Sequence, residues 1–144
     1  GEQRPKLEAL AAELGIEDRV HFLGFVDDET LRQEYLCADV FCQPGTAELQ
    51  SLVTLEALSA SRPVVLANAL ALPHLVDEGV NGHLFTPGDD QDLAEKLASI
   101  LDLSPAERKA MGEAGHQMAL KHGEEKTIKT FEALYRGADV HDYL

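Results

Sequence analysis

The run Pro63-Val64-Val65-Leu66-Ala67 is apolar at every position. A strand with one wet face alternates polar and apolar residues, so an unbroken run of this length fits a strand covered on both faces, as in a parallel sheet. Parallel neighbours need crossover connections, usually helices, and the flanking sequence supplies that alternation. Val40-Phe41-Cys42-Gln43 is stopped by Pro44-Gly45. His83-Leu84-Phe85 is a short strand between the Gly79-Val80-Asn81-Gly82 turn and Pro87-Gly88-Asp89-Asp90. Val20-His21-Phe22-Leu23-Gly24-Phe25 is rich in β-formers and reads as a further strand ahead of them.

Helical spacing fills the intervals. Leu7, Leu10, Ala11 and Leu14 predict an amphipathic helix from Pro5 to Leu14, and Leu31, Tyr35 and Leu36 mark a second. A third runs from Ser51 to Ala60 with Ser51 as its cap, ended by Arg62-Pro63. A short helical turn spans Pro73 to Asp77. Gln91 to Leu101 follows, capped by Asp89 and Asp90, with Leu93, Leu97, Ile100 and Leu101 inward; then come Pro105 to Lys121 and Glu124 to Arg136. The expectation is an α/β fold, an open parallel Rossmann-like sheet with flanking helices, in one domain covering residues 1–144.

Composition removes several classes of partner. A net charge of -14 opposes binding to nucleic-acid phosphates, and no apolar run reaches the roughly twenty residues that span a bilayer. Cys37 and Cys42 fit neither zinc nor redox spacing and read as small buried apolar residues, a usage that suits a reducing, cytoplasmic compartment. The six histidines show no ligand spacing. His74, just after Leu72-Pro73, and Asn68, at the end of the apolar strand, are the neighbours best placed to border a ligand.

Charge is sparse between Val40 and Val76. Glu48, Glu56 and Arg62 are its charged residues, in a chain that is 26% charged. Carboxylates kept in an apolar stretch point to a site, since burying them is costly unless they are paired. Gln43 to Leu52 lies where a strand passes into a helix, the usual ligand position in open parallel sheets. Amides at the start of that helix suit an anion such as phosphate. Helical side chains lean toward the N-terminus, so Glu56 can reach back to accept two hydroxyl hydrogen bonds, as from the vicinal diol of a ribose. Glu48 can address a second polar group of the same ligand. The structural alternative makes Glu48 a surface loop residue and pairs Glu56 with Arg62; two carboxylates at one helix entrance also fit glycosidase-like acid/base chemistry or a metal site, neither of which is favoured, the metal for want of a third acidic ligand nearby.

The order of short motifs carries more information than any one of them. Gly24-Phe25, Ala38-Asp39-Val40-Phe41, Pro44, Glu48, Leu55-Glu56-Ala57, Pro63-Val64-Val65, Leu72-Pro73, Gly79-Val80-Asn81-Gly82 and Pro87-Gly88-Asp89 together resemble the C-terminal half of retaining glycosyltransferases of family 4 (group 1), in the two-Rossmann-domain GT-B class. The resemblance implies a domain that binds a UDP- or GDP-linked sugar as substrate, with no resident metal or other cofactor. Glu48, at the catalytic position, would hold the sugar hydroxyls, and Glu56 the ribose hydroxyls. Amides around Gln50, Ser51 and Leu52 would contact the diphosphate, and Gly24, Phe25 and Val26 would line the nucleobase pocket. The complete enzyme would transfer a sugar with retention, in glycolipid or polysaccharide synthesis, from the cytoplasm or the inner face of a membrane. The alternative is a non-catalytic nucleotide-sugar-binding or interaction module of the same fold.

Two departures from the family pattern matter. Glu48-Leu49-Gln50-Ser51 stands where members commonly have Glu-Gly-Phe-Gly, and Leu70-Ala71-Leu72-Pro73 where they have Gly-Gly-Leu-Pro. Side chains thus replace glycines beside the expected diphosphate, and Gln50 becomes a possible donor to it. The resemblance also implies that the acceptor-binding N-terminal domain and the first two strands of this domain precede Gly1. The resemblance implies that the diphosphate-neutralising Arg and Lys lie there too; this chain has no Lys or Arg between Arg32 and Arg62. The chain alone is therefore expected to be inactive.

Overall fold

The computed structural model describes residues 1–139 and 141. The chain divides into two compact units, Gly1–Gln33 and Glu34–Leu144.

In the first unit, Pro5 sits in the first turn of α1 (Arg4–Glu13), where its missing N–H costs nothing. Arg4 pairs with Glu8 at 2.6 Å and lies over the Phe22 ring at 5.7 Å. The apolar stripe of α1 is not turned into a core: Ala11 is buried, whereas Leu7, Leu10 and Leu14 are exposed. A 3-10 turn, Glu17–Arg19, leads to an extended segment. The expected strand Val20–Phe25 does not form. Its β-formers find no partner, Gly24 adopts a left-handed φ of 72° that breaks the pleat, and Phe25 is fully exposed. Helix α2 (Asp28–Cys37) starts in this unit, with the Asp27 carboxylate accepting from the Thr30 amide at 2.8 Å. Its last turn belongs to the second unit.

The second unit is built on three parallel strands in the order β1 (Phe41–Gln43), β2 (Val64–Ala67), β3 (Gly82–Phe85). Phe41 pairs with Val64, and Val64 with Gly82. Every residue of β2 is inaccessible to solvent, as its unbroken apolar sequence requires. Helix α3 (Leu52–Ser59) is the β1–β2 crossover, and a 3-10 turn, Leu72–Leu75, lies in the β2–β3 connection. Helix α4 (Asp90–Leu101) packs on β2 and β3, and α5 (Pro105–Leu120) on α3; α6 (Glu124–Tyr135) follows. The expected boundaries hold to within one or two residues. The molecule is thus an α/β protein with an open, three-stranded parallel sheet flanked by helices.

The core joins Leu58, Leu72, Leu75, Phe85, Ile100 and Met118 to β2. Ile100 faces it as expected, with Leu93 and Leu97 beside it, whereas Leu101 is exposed. Asn81 is fully buried and satisfied, accepting from the Asp77 amide at 2.8 Å and donating to the Leu75 carbonyl at 3.0 Å. It is therefore a bracket for the turn before β3. Asp89 caps α4, and Ser104 with Glu107 forms a capping box on α5. Cys37 contradicts its expected burial and is exposed at the end of α2; Cys42 is partly buried, which pushes its thiol pKa up. Among the described residues no helix is long and apolar enough to cross a membrane.

Candidate functional site

All three strands point the same way, so their carboxyl ends, Gln43, Ala67 and Phe85, lie along one margin of the sheet. The loop after β1 carries Glu48. Gln43 orders it from the strand end: its side-chain carbonyl accepts from the Gly45 amide at 3.0 Å, and its amide nitrogen lies 3.5 Å from Glu48 Oε1. The loop after β2 ties in as well, because the Ala71 amide donates to the Glu48 main-chain carbonyl at 3.3 Å. Glu48 is thus held between two strand ends, half-buried, with one carboxylate oxygen engaged by Gln43.

Helix α3 opens from this loop in an unusual way. Ser51 occupies the cap position but does not cap: it sits at φ 49° with its buried hydroxyl 2.7 Å from that of Thr54. The expected cap is therefore corrected: the Ser51 hydroxyl is engaged by the Thr54 hydroxyl and makes no hydrogen bond to a helix amide. Helices α2, α4, α5 and α6 have acidic residues in their first turn, whereas α1 and α3 have none, and of these two only α3 follows a strand of the sheet. Its start keeps the positive end of the helix dipole without a carboxylate upon it. Gln50 and Leu52, on either side of Ser51, are exposed.

Glu56 lies just over one turn inside α3 and is exposed, so this carboxylate is not the buried charge its apolar surroundings suggested. Nor does it pair with Arg62, whose guanidinium is taken by main-chain carbonyls, Ala60 at 2.8 Å and Ala38 at 2.9 Å. The Tyr35 hydroxyl donates to Glu56 Oε2 at 3.0 Å. Burial, then the hydrogen bond to Glu56 and its charge, push the Tyr35 phenol up to about 12. Tyr35 is the residue that sequence reasoning missed. It stood out there as a helix-face position, and nothing local signals a bond across 21 residues.

Glu48 and Glu56 share no hydrogen-bond partner: Gln43 holds one and Tyr35 the other. Asn68 is exposed, and its amide continues the ladder to the Phe85 carbonyl at 2.9 Å. His74 is exposed within the 3-10 turn. Gly24, Phe25 and Val26 lie in the first unit. No group of three or more His, Cys, Asp or Glu able to hold a metal ion occurs among the described residues. The arrangement offers two separately held carboxylates that can accept hydroxyl hydrogen bonds, with open helix amides between them in sequence.

Comparison with known proteins agrees with the motif order. The family model for "Glycosyl transferases group 1" matches residues 1–118. D-inositol 3-phosphate glycosyltransferase of Corynebacterium urealyticum is 39% identical over 137 residues, covering 94% of this chain and 32% of that protein. Sucrose-phosphate synthase from Thermosynechococcus elongatus superposes with a TM-score of 0.84 at 31% identity, over 94% of this chain and 34% of that one. Anabaena Alr3699/HepE, solved in complex with UDP-glucose, gives 0.80 at 32% identity, over 94% and 37%. The chain thus spans about a third of the length of the proteins it matches. Sheet, helices, motif order and family match agree: the chain belongs to the group 1 glycosyltransferases, with the Rossmann-like fold of their GT-B class.

Proposed function

We propose that this chain supplies the donor-binding part of an enzyme that transfers a sugar from a nucleotide sugar, UDP- or GDP-linked, to an acceptor with retention of configuration. The observation that carries the reading is the start of α3. In a chain of net charge -14, this helix opens at the carboxyl end of β1 with no side-chain cap and no acid in its first turn. Such a start favours a diphosphate. A carboxylate stands on each side of it in sequence, Glu48 before and Glu56 within.

In this reading the amides of Gln50, Ser51 and Leu52 receive the diphosphate. Glu56 accepts from the ribose hydroxyls and Glu48 from the sugar hydroxyls. The donor is substrate, and no resident metal or cofactor is invoked. The UDP-glucose complex of the similar Anabaena protein supports a nucleotide sugar as ligand. The bond from the anomeric carbon to the diphosphate oxygen breaks while the acceptor oxygen bonds to the same face, and the acceptor proton leaves with the departing phosphate. Acceptor contacts fall to the N-terminal domain implied by the family, so the chain alone is inactive. The enzyme works in the cytoplasm, at the membrane surface where its acceptor is a lipid.

Isothermal titration of UDP- and GDP-sugars against the full-length protein tests this. Replacing Glu56 or Glu48 with Ala removes charge-assisted hydrogen bonds and is expected to weaken binding about tenfold or more. Unchanged affinity in both variants would sink the site assignment.

A further inference from the structure

Tyr35 has no part in the reading above, yet it holds the carboxylate on which that reading depends. Its hydroxyl donates to Glu56 Oε2 at 3.0 Å and leaves Oε1 free of it. The hydroxyl is itself well placed. Tyr35 lies in the last turn of α2, and its half-buried ring packs at a tilt on Phe41 of β1, centroids 5.9 Å apart. The sheet therefore fixes the ring, and the ring fixes the donor.

Glu56 needs such a partner. On an exposed helical surface a glutamate samples several rotamers, and a carboxylate that must meet two hydroxyls at once pays for that freedom when it binds. An ionised carboxylate has about four acceptor positions, so one can serve Tyr35 while others serve a diol. The Glu56–Arg62 pair that would compete for the same oxygens is absent, because Arg62 is committed to the Ala38 and Ala60 carbonyls.

We propose that Tyr35 is a positioning residue: its hydroxyl orients the Glu56 carboxylate so that the remaining acceptor sites face the vicinal hydroxyls of the nucleotide's ribose. This rests on the assignment of Glu56 to those hydroxyls. Tyr35 acts through Glu56 and needs no contact with the ligand. With its phenol pushed up to about 12, it remains a donor at every pH at which such an enzyme works.

The test pairs a variant with a ligand that lacks the hydroxyls. UDP and GDP, and their 2′,3′-dideoxy analogues, are titrated into the full-length protein carrying Tyr35→Phe, Glu56→Ala or both. Tyr35→Phe keeps the ring against Phe41, and its melting temperature confirms the fold. It is expected to weaken the ribonucleotide about threefold to tenfold, the range of one hydrogen bond, and to leave the dideoxy analogue unchanged. Added to Glu56→Ala, it should change nothing further. Equal weakening of both nucleotides would make Tyr35 merely structural and overturn the proposal. So would no weakening of either by Tyr35→Phe, if Glu56→Ala still abolishes the preference for ribose. If Glu56→Ala leaves that preference intact, the Glu56 assignment fails and the role of Tyr35 with it.

Discussion

The guanidinium of Arg62 donates to the carbonyl of Ala38, 24 residues earlier, at 2.9 Å. Its Nε also donates to Ala60, the C-cap of α3, at 2.8 Å. One cation thus satisfies carbonyls at the ends of two helices, where the dipole favours positive charge. Arg62→Met should destabilise the protein by about 1–3 kcal/mol, mostly through the carbonyls it leaves unpaired. Urea unfolding measures this, and combining it with Glu56→Ala should show coupling below about 0.5 kcal/mol. Larger coupling would mean that Arg62 and Glu56 interact after all.

Ser51 and Leu70 both have left-handed backbones, at φ 49° and 48°. They stand at two of the positions where the family pattern has glycine, so that glycine answers a conformational demand. A left-handed L-residue costs about 1–2 kcal/mol, partly offset by the about 0.5–1 kcal/mol that glycine loses on folding. Leu70 is largely exposed and gives up little packing, so Leu70→Gly should stabilise by about 0.5–1 kcal/mol. Ser51→Gly strips the Thr54 hydroxyl of its buried partner, which outweighs the relief; a net loss of about 1 kcal/mol is expected. Chemical denaturation of the two variants should show opposite signs.

Gly82 and Gly112 are required for a different reason. A Cβ on Gly82 would lie 2.0 Å from the Val64 carbonyl oxygen, and one on Gly112 2.1 Å from that of Ser61. Both obstacles are backbone and cannot turn aside. Either Ala substitution should cost about 3 kcal/mol, the upper end for overpacking. A thermal unfolding midpoint equal to the parent's in either variant would contradict the close approach of β3 to β2, or of α5 to the end of α3.

Acid should loosen the β3–α4 side of the molecule. Burial pushes the Glu78 carboxyl up, but hydrogen bonds from His83 at 2.7 Å and the Leu84 amide at 2.9 Å, with Lys96 nearby, outweigh it and bring its pKa below the ordinary 4.5. A lowered carboxylate adds stability above pH 4.5 and loses it as pH falls through the lowered value. Glu78→Gln should flatten that acid limb and leave the neutral plateau lower. Unfolding free energies collected between pH 7 and 3 would reveal a failure as parallel curves for the two proteins.

What the sequence determined was local. The unbroken apolar run at Val64–Ala67 forced a strand covered on both faces, and prolines, glycines and caps such as Asp89 and Ser104 set boundaries to within a residue or two. Each of these signals acts within a few residues of itself. The glutamates could be singled out in the same way, as charges in an apolar stretch. Tertiary structure decided everything that needs a partner. Val20–Phe25 has the composition of a strand, but a strand exists only when a neighbour takes its hydrogen bonds, and none does. Ser51 has the identity of a cap, but its hydroxyl meets that of Thr54 and no helix amide. Arg62 could have met Glu56 on spacing alone, yet packing delivers Ala38 to Arg62 and Tyr35 to Glu56. Spacing sets only what is within reach along a helix or turn. Which group a side chain takes up across 21 or 24 residues depends on how helices lie against a sheet.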